Sequence, residues 1–223
     1  MKKLSTLHPA VPAALLLLAF PSASSAAAKD EKPASASLRV AIMPYVNTTE
    51  EFGATRMMED ILKSELRKMD PKRATFILAA DTERLLSDAD QLARVDRLND
   101  RFSKYGTLDS SAVGGLDSIL MVDAILLVKI SEWENHRVPV VGAGESHATV
   151  GLTFALYDPK TKALLWIKKP REQRFAAELD ASSANVNYDE TGVIQRKSDN
   201  APPRYESVAA DLVRDAFKKF PRG

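Results

Sequence analysis

Five stretches of the chain show the apolar patterns of β-strands. Residues 38–46 carry apolar side chains on both faces, and Ala124–Ile130 is an almost continuous apolar run, which is typical of inner strands covered by helices. Ser146–Tyr157 alternates between apolar and polar residues, and Asp158–Lys162 has the composition of a hairpin turn. The predicted strands are 38–46, 75–79, 122–133, 146–157 and 163–169.

Apolar stripes at helical spacing lie between and after these strands. They predict four helices, at 54–69, 81–105, 110–121 and 205–220. Thr48 and Glu51 have the spacing of a capping box before the first helix, and Asp81 is predicted to cap the second. Gly114 and Gly115 weaken the third helix.

The order of these elements predicts an α/β fold. A strand, a helix and a strand over residues 38–79 form a β-α-β unit, and a three-stranded antiparallel meander follows. We therefore expect a mixed sheet of about five strands flanked by about four helices, in a single domain over residues 38–220. Residues 178–203 are polar and without periodicity, which predicts a long mobile loop inside this domain.

The first 28 residues have the pattern of a secretory signal peptide. Lys2 and Lys3 precede a short apolar core that ends at Phe20, and Ala26 and Ala28 have the small side chains of a cleavage site. The apolar core is about half of the roughly 20 residues that a membrane-spanning helix requires. We expect cleavage, followed by a flexible leader at residues 29–37.

Cysteine content and charge narrow the functional classes. The chain has no Cys, which excludes disulfides, thiolate chemistry and the usual lipid attachment of exported bacterial proteins. Without residues 1–28 it has 29 basic and 30 acidic residues, so it shows no basic bias towards nucleic acid. A periplasmic or secreted protein without a lipid anchor, and without a transmembrane segment after cleavage, is the expectation.

The sequence contains no recognisable catalytic constellation. His136 and His147 flank one predicted turn, and Glu134 or Glu145 would complete a metal site, but an exposed loop that tolerates histidine is the preferred interpretation. The nucleophile, zinc-protease and phosphate-loop motifs are missing. We therefore predict a protein that is not an enzyme and has no cofactor, catalytic residue or metal ligand.

Two parts of the sequence carry a recognisable pattern. The first is Leu38–Thr49, Leu-Arg-Val-Ala-Ile-Met-Pro-Tyr-Val-Asn-Thr-Thr, and the second comprises Asp123–Leu127, Trp133 and Leu156–Trp166. They resemble the family of TolB amino-terminal-like envelope proteins, which includes the peptidoglycan-synthase activator LpoB and the curli secretion subunit CsgG. The first part is similar to the family's V-A-[VI]-[LM]-P-F-x-N-x-T opening, with Tyr in place of Phe, and the second is similar to its later strands, although Lys162 stands where the family usually has Gly. The residues that match as structural motifs are Pro44, Tyr45, Asn47, Thr48 and Trp166.

The resemblance implies a mixed sheet, no cofactor and binding to other envelope components. The resulting hypothesis is a non-enzymatic periplasmic binding or scaffold module, accessory to envelope assembly or secretion, whose partner is a protein or an envelope polymer. The predicted contact residues on the hairpin edge are Glu132, Trp133, His136 and His147. Two alternatives stay open: a periplasmic hydrolase with dispersed catalytic residues, and a homo-oligomeric secretion component.

Overall fold

The computed structural model describes most of the chain after the predicted leader. The described residues are 37–108, 110–138, 145–176, 187–188, 194–195 and 202–221. The predicted signal peptide at residues 1–28, almost all of the leader and most of the predicted loop at 178–203 lie outside the described residues.

Seven strands form one mixed sheet, and five α-helices pack on it. The strands are β1 (Leu38–Ile42), β2 (Val46–Asn47), β3 (Ala74–Ile77), β4 (Ala124–His136), β5 (His147–Tyr157), β6 (Leu164–Lys168) and β7 (Arg171–Phe175). The helices are α1 (Ala54–Leu66), α2 (Ala79–Asp88), α3 (Leu92–Tyr105), α4 (Leu116–Leu120) and α5 (Tyr205–Phe217). A 3₁₀ helix (Ser110–Val113) precedes α4, and β8 (Asn187–Tyr188) pairs with β9 (Ile194–Gln195) apart from the main sheet.

The strand order confirms the predicted α/β architecture. The main path is β3-β1-β4-β5-β6, in which β1 is parallel to β3 and β4, and β4, β5 and β6 are antiparallel neighbours. The β-α-β unit and the meander are therefore both present. The connection between β1 and β3 passes through α1, as expected for parallel strands.

The two strands beyond the predicted five arise at prolines. Pro44 separates β1 from β2, although both pair with β4, and Pro170 separates β6 from β7, although both pair with β5. Proline has no N–H to donate to a ladder, so pairing stops and then resumes. The carbonyl of Pro170 still accepts a hydrogen bond from the Leu152 N–H at 2.9 Å.

Helix starts differ from the sequence prediction. α2 begins at Ala79 after the extended residue Leu78, so Asp81 lies inside the first turn, where its carboxylate complements the helix dipole. The predicted helix at 110–121 is divided, because Gly115 has φ of 82° and interrupts it between the 3₁₀ helix and α4.

The sheet has a hydrophobic core on each side. One core packs against α1 and α5, and the other packs against α2, α3 and α4. Leu126 and Val128 of β4 face the first core, whereas Ile125 and Leu127 face the second. β4 is therefore buried on both faces, which accounts for its continuous apolar run.

An aromatic cluster fixes the end of α5 against the sheet. Phe217 and Phe220 stack with ring centroids 5.2 Å apart, and both contact Trp166 of β6. Phe154 of β5 meets Phe217 edge-on, and Phe76 of β3 lies 5.6 Å from Phe220. Phe220 therefore contacts both edge strands of the main path.

A polar contact joins α1 to α5. Glu65, whose side chain is only 8% exposed, accepts from Lys68 at 2.6 Å and from Arg214 of α5 at 3.3 Å. Burial by itself raises the pKa of the Glu65 carboxyl, but hydrogen bonds and charges from Lys68 and Arg214 outweigh it and lower this pKa below its usual value.

Phe220→Ala should lower the free energy of unfolding by about 3–5 kcal/mol, because it removes a fully buried ring that contacts both sheet edges. Urea denaturation measures the loss. Tyr105→Ala is the control, since Tyr105 is 72% exposed and its loss should cost less than about 0.5 kcal/mol. Equal losses for the two variants would contradict this account of α5.

Glu65→Gln should be less stable than the unsubstituted protein at neutral pH, and this difference should shrink as the pH falls below 4.5, the usual pKa of the carboxyl. A group whose pKa is lowered by folding stabilises the folded state above its unfolded pKa, and this stabilisation is lost as it becomes protonated. Denaturation between about pH 7 and pH 3 tests this. Glu83→Gln, at an exposed position, is the control. A difference in stability that does not change with pH for Glu65→Gln would refute the stabilising role of the ionised Glu65 carboxylate.

Candidate functional site

The hairpin of β4 and β5 extends beyond the strands that flank β4 at its start. β4 pairs with β1 and β2 as far as Ile130, after which its remaining residues pair with β5, and the start of β5 pairs with β7. The ladder register shifts between Ile130 and Glu132, so that Ser131 is a bulge. One extra residue reverses the alternation of side chains that follow it.

The bulge decides which side chains of β4 face α5. Before it, Val128 and Ile130 lie in the core beneath α1 and α5; after it, Trp133 does. Without the bulge, Glu132 and Glu134 would have faced this core. With it, they lie on the opposite side of the sheet.

Nine positions of β4, β5 and β7 form a surface that we call the open face. The register places them in three rows of three: Glu132, Gly151 and Arg171; Glu134, Thr149 and Gln173; His136, His147 and Phe175. The outer positions of β4 and β7 are largely exposed, and Phe175 is 48% exposed. Three of the four predicted contact residues therefore share one surface.

Contacts across the strands hold the open face in place. Arg171 Nε lies 2.9 Å from both carboxylate oxygens of Glu132. The rings of His136 and His147 are 5.1 Å apart, and His147 lies 5.5 Å from Phe175. The third row is thus a continuous strip of rings on a paired backbone, next to the exposed carboxylate of Glu134.

Trp133 does not belong to this surface, and its prediction as an exposed contact is wrong. Its side chain is 3% exposed and stacks on Tyr205 of α5, with centroids 5.6 Å apart. The physical reason is the bulge, which turns Trp133 into the core. Burial raises the pKa of the Tyr205 hydroxyl, and the nearby carboxylate of Glu51 adds to this effect.

Asn47 and Thr48 organise the turn into α1 rather than capping the helix. The Asn47 carboxamide donates to the Glu51 carbonyl at 2.9 Å and accepts from the backbone N–H and hydroxyl of Thr49 at 3.0 and 2.8 Å. Thr48 donates through its N–H and hydroxyl to the Ile130 carbonyl, both at 3.0 Å. The predicted capping box is therefore wrong, and α1 starts at Ala54 without a side-chain cap.

The remaining motif residues also lie at structural positions. Pro44 divides the first strand, Tyr45 packs against the core beneath α1, and Trp166 lies between Phe154 and the α5 aromatic pair. Burial, reinforced by Glu59 and Asp60, raises the pKa of the Tyr45 hydroxyl. These residues therefore position the sheet and its helices.

The backbone conformation at Lys162 accounts for the glycine that the family usually has at this position of the hairpin turn. Its φ is 62°, a left-handed conformation that glycine adopts without strain. Asp158 stabilises this turn by accepting from the backbone N–H groups of Lys160 and Thr161 at 2.8 and 3.1 Å.

The described residues show neither a metal cluster nor a membrane-spanning helix. Within the described ranges, no three histidine or carboxylate side chains are grouped closely enough to hold a metal ion. The same part of the chain contains no helix with the length and apolar character needed to cross a bilayer. His147 Nδ1 lies 3.1 Å from the backbone oxygen of Glu145.

The sequence analysis did not predict the three positions that β7 contributes to the open face. Arg171, Gln173 and Phe175 alternate with Glu172 and Arg174, which is the period of a strand, but the segment is charged and short. The bulge also had a signal, since the apolar residues Ile130 and Trp133 are three apart where a regular strand requires two or four.

Comparisons with known proteins find similar folds at low sequence identity. No protein-family model and no curated protein sequence matches the chain. The solved PelC dodecamer from Paraburkholderia phytofirmans has a TM-score of 0.46 and 17% identity, and the match covers 86% of this chain and 93% of that one. Lipoprotein GNA1162 from Neisseria meningitidis has a TM-score of 0.44 and 14% identity, and the match covers 65% of this chain and 88% of that one.

A hypothetical protein from Chlamydia trachomatis, CT253, gives a TM-score of 0.47 at 11% identity, with 82% of this chain and 95% of that chain covered. The neighbours thus include bacterial proteins whose names refer to a lipoprotein or to an oligomer. Membership of the TolB amino-terminal-like family is not confirmed by them and stays a prediction.

Asn47→Ala should lower the free energy of unfolding by about 1–3 kcal/mol, because it removes the three hydrogen bonds that the Asn47 side chain makes in the turn. Glu50→Ala is the control, because Glu50 is an exposed residue of the same turn and its loss should cost less than about 0.5 kcal/mol. Chemical denaturation compares the two. Equal losses for Asn47→Ala and Glu50→Ala would show that the carboxamide does not organise this turn as described.

Proposed function

We propose that this chain is a non-enzymatic binding or scaffold module, accessory to cell-envelope assembly or secretion, and that it contacts a protein partner through the open face. The envelope location rests on the signal-peptide pattern of residues 1–28. The observation that carries the proposal is that Glu132, His136 and His147 share one preorganised surface with Phe175, on which His136 and Phe175 are exposed and Glu132 and His147 are partly exposed.

The chemistry of the open face suits a particular kind of partner. Phe175 offers an exposed apolar ring at the end of the aromatic strip, and Glu134 offers a carboxylate for which no ion pair is present among the described residues. A protein segment with an apolar or aromatic anchor beside a Lys or Arg would satisfy both. The paired backbone beneath them reduces the entropy lost on docking.

The hydrolase alternative requires a nucleophile with its base. In the described ranges, His136 contacts another imidazole, and His147 contacts two rings and a backbone oxygen. This arrangement suits packing better than proton transfer, and it gives the hydrolase no support. The oligomeric alternative differs only in its occupant, a second copy of the chain.

A photo-crosslinking amino acid in place of Gln173 should give one discrete adduct with another protein in intact cells, because position 173 is exposed at the centre of the β7 edge. Adding Phe175→Ser should reduce the adduct about tenfold by removing the apolar anchor. The same crosslinker at Arg84, an exposed position on α2, is the control and should give no such adduct.

The mass of the adduct distinguishes the outcomes. A different protein supports the proposal, whereas an adduct of twice the chain mass supports the homo-oligomeric alternative. No adduct at position 173, or equal adducts at positions 173 and 84, would refute docking at the open face.

A further inference from the structure

A groove lies at the opposite end of α5 from Tyr205, between the last turns of α1 and α5 and the segment that leads into β3. Its volume is about 560 Å³, within the range of small-ligand sites. Five of its nine lining residues are cationic and two are acidic, with Met69 and Phe217 as apolar lining. The proposed protein-docking surface does not include it.

A buried carboxylate orders two of these cations. Glu65 lines the groove with its side chain 8% exposed and binds Lys68 of the α1 end together with Arg214 of α5. The Lys68 and Arg214 side chains are 60% and 50% exposed, so they remain accessible while their positions are restrained. Cations from two separate elements are therefore held at one groove before any ligand arrives.

Arg73 is a third restrained cation. Its guanidinium donates to the carbonyls of Lys218 and Phe220, just after α5, while its Nε is buried without a hydrogen-bond partner. Arg73 thus lines the groove and holds the chain that follows α5. A planar guanidinium is suited to phosphate oxygens.

Lys72 is the cation most available to a ligand. Its backbone N–H donates to Asp70 at 2.9 Å, but its ammonium has no ion pair among the described residues. Lys218 pairs with Asp215 at 2.6 Å, and this pair is 65% and 69% exposed, so an incoming anion competes with it easily. Asp211 binds Arg214 at 2.9 Å, and the Asp70 carboxylate lines the groove itself.

These cations have a structural role as well, because two helices end at the groove and cations offset the negative ends of helix dipoles. That role accounts for charge at the helix ends. It does not account for Lys72, which lies beyond the end of α1. It also does not account for the buried Glu65 carboxylate, which binds both Lys68 and Arg214 beside one groove.

We propose that this groove binds a phosphate-bearing ligand, with Lys72, Lys68 and Arg214 contacting the phosphoryl oxygens and the partly exposed Met69 contacting an adjoining apolar part. Several cations on a preorganised frame suit a multiply charged phosphate. The ligand is either soluble or the headgroup of an anionic phospholipid, and the two sources share this chemistry.

Protein purified from expression of the full chain tests the proposal in two arms. Calorimetry with pyrophosphate tests a soluble ligand, and flotation with phosphatidylglycerol vesicles against phosphatidylcholine vesicles tests a membrane source. Lys72→Glu should weaken whichever binding is observed by about tenfold or more, because a phosphate contact becomes a repulsion. Lys72→Gln should give a smaller loss, and neither variant removes an internal contact.

Lys219→Glu is the matched control. Lys219 is exposed next to Lys218, carries the same charge and is not among the groove residues, so its loss should change binding less than about twofold. Binding of pyrophosphate alone identifies a soluble ligand, and binding of anionic vesicles alone identifies a headgroup. No binding in either arm, or equal losses from Lys72→Glu and Lys219→Glu, overturns the proposal.

Discussion

The packing of the α5 aromatic pair determines the shape of the sheet. Phe220 contacts Phe76 of β3 and Trp166 of β6, which lie at opposite ends of the path β3-β1-β4-β5-β6. Four strand spacings in a flat sheet would separate these strands by about 19 Å, too far for one ring to reach both. The sheet therefore curls around the end of α5, and the contact that curls it joins residues more than a hundred positions apart in sequence.

The position of α5 also determines which surfaces remain available. Its first turn covers Trp133 through Tyr205, so the opposite side of the same hairpin is the side left open. Its last turn meets α1 through Glu65 and Arg214 and forms one wall of the cationic groove. One helix thus relates two surfaces of different chemistry, one with a strip of aromatic rings and one with clustered cations.

Sequence patterns predicted the helices and strands better than the side of the sheet on which each side chain lies. The apolar run of β4 and the stripe of α5 are buried as expected, because local periodicity reports burial directly. The side of the hairpin that holds Trp133 depends on a bulge at Ser131 and on the return of α5 from a distant part of the chain. The prediction of an exposed Trp133 is wrong because a strand pattern alone does not indicate where a helix packs, whereas the contact roles of Glu132 and His136 stay predictions.

The groove was missed for a related reason. In the sequence, Lys68, Lys72 and Arg214 look like ordinary solvent-facing cations. Folding brings Arg214 of α5 next to Lys68 and Lys72 at the groove. Their proximity is costly without Glu65, whose carboxylate offsets the repulsion between Lys68 and Arg214. A ligand phosphate would add further compensation, and because it would bind the folded state alone, it would strengthen the contact between α1 and α5 through Glu65 and Arg214.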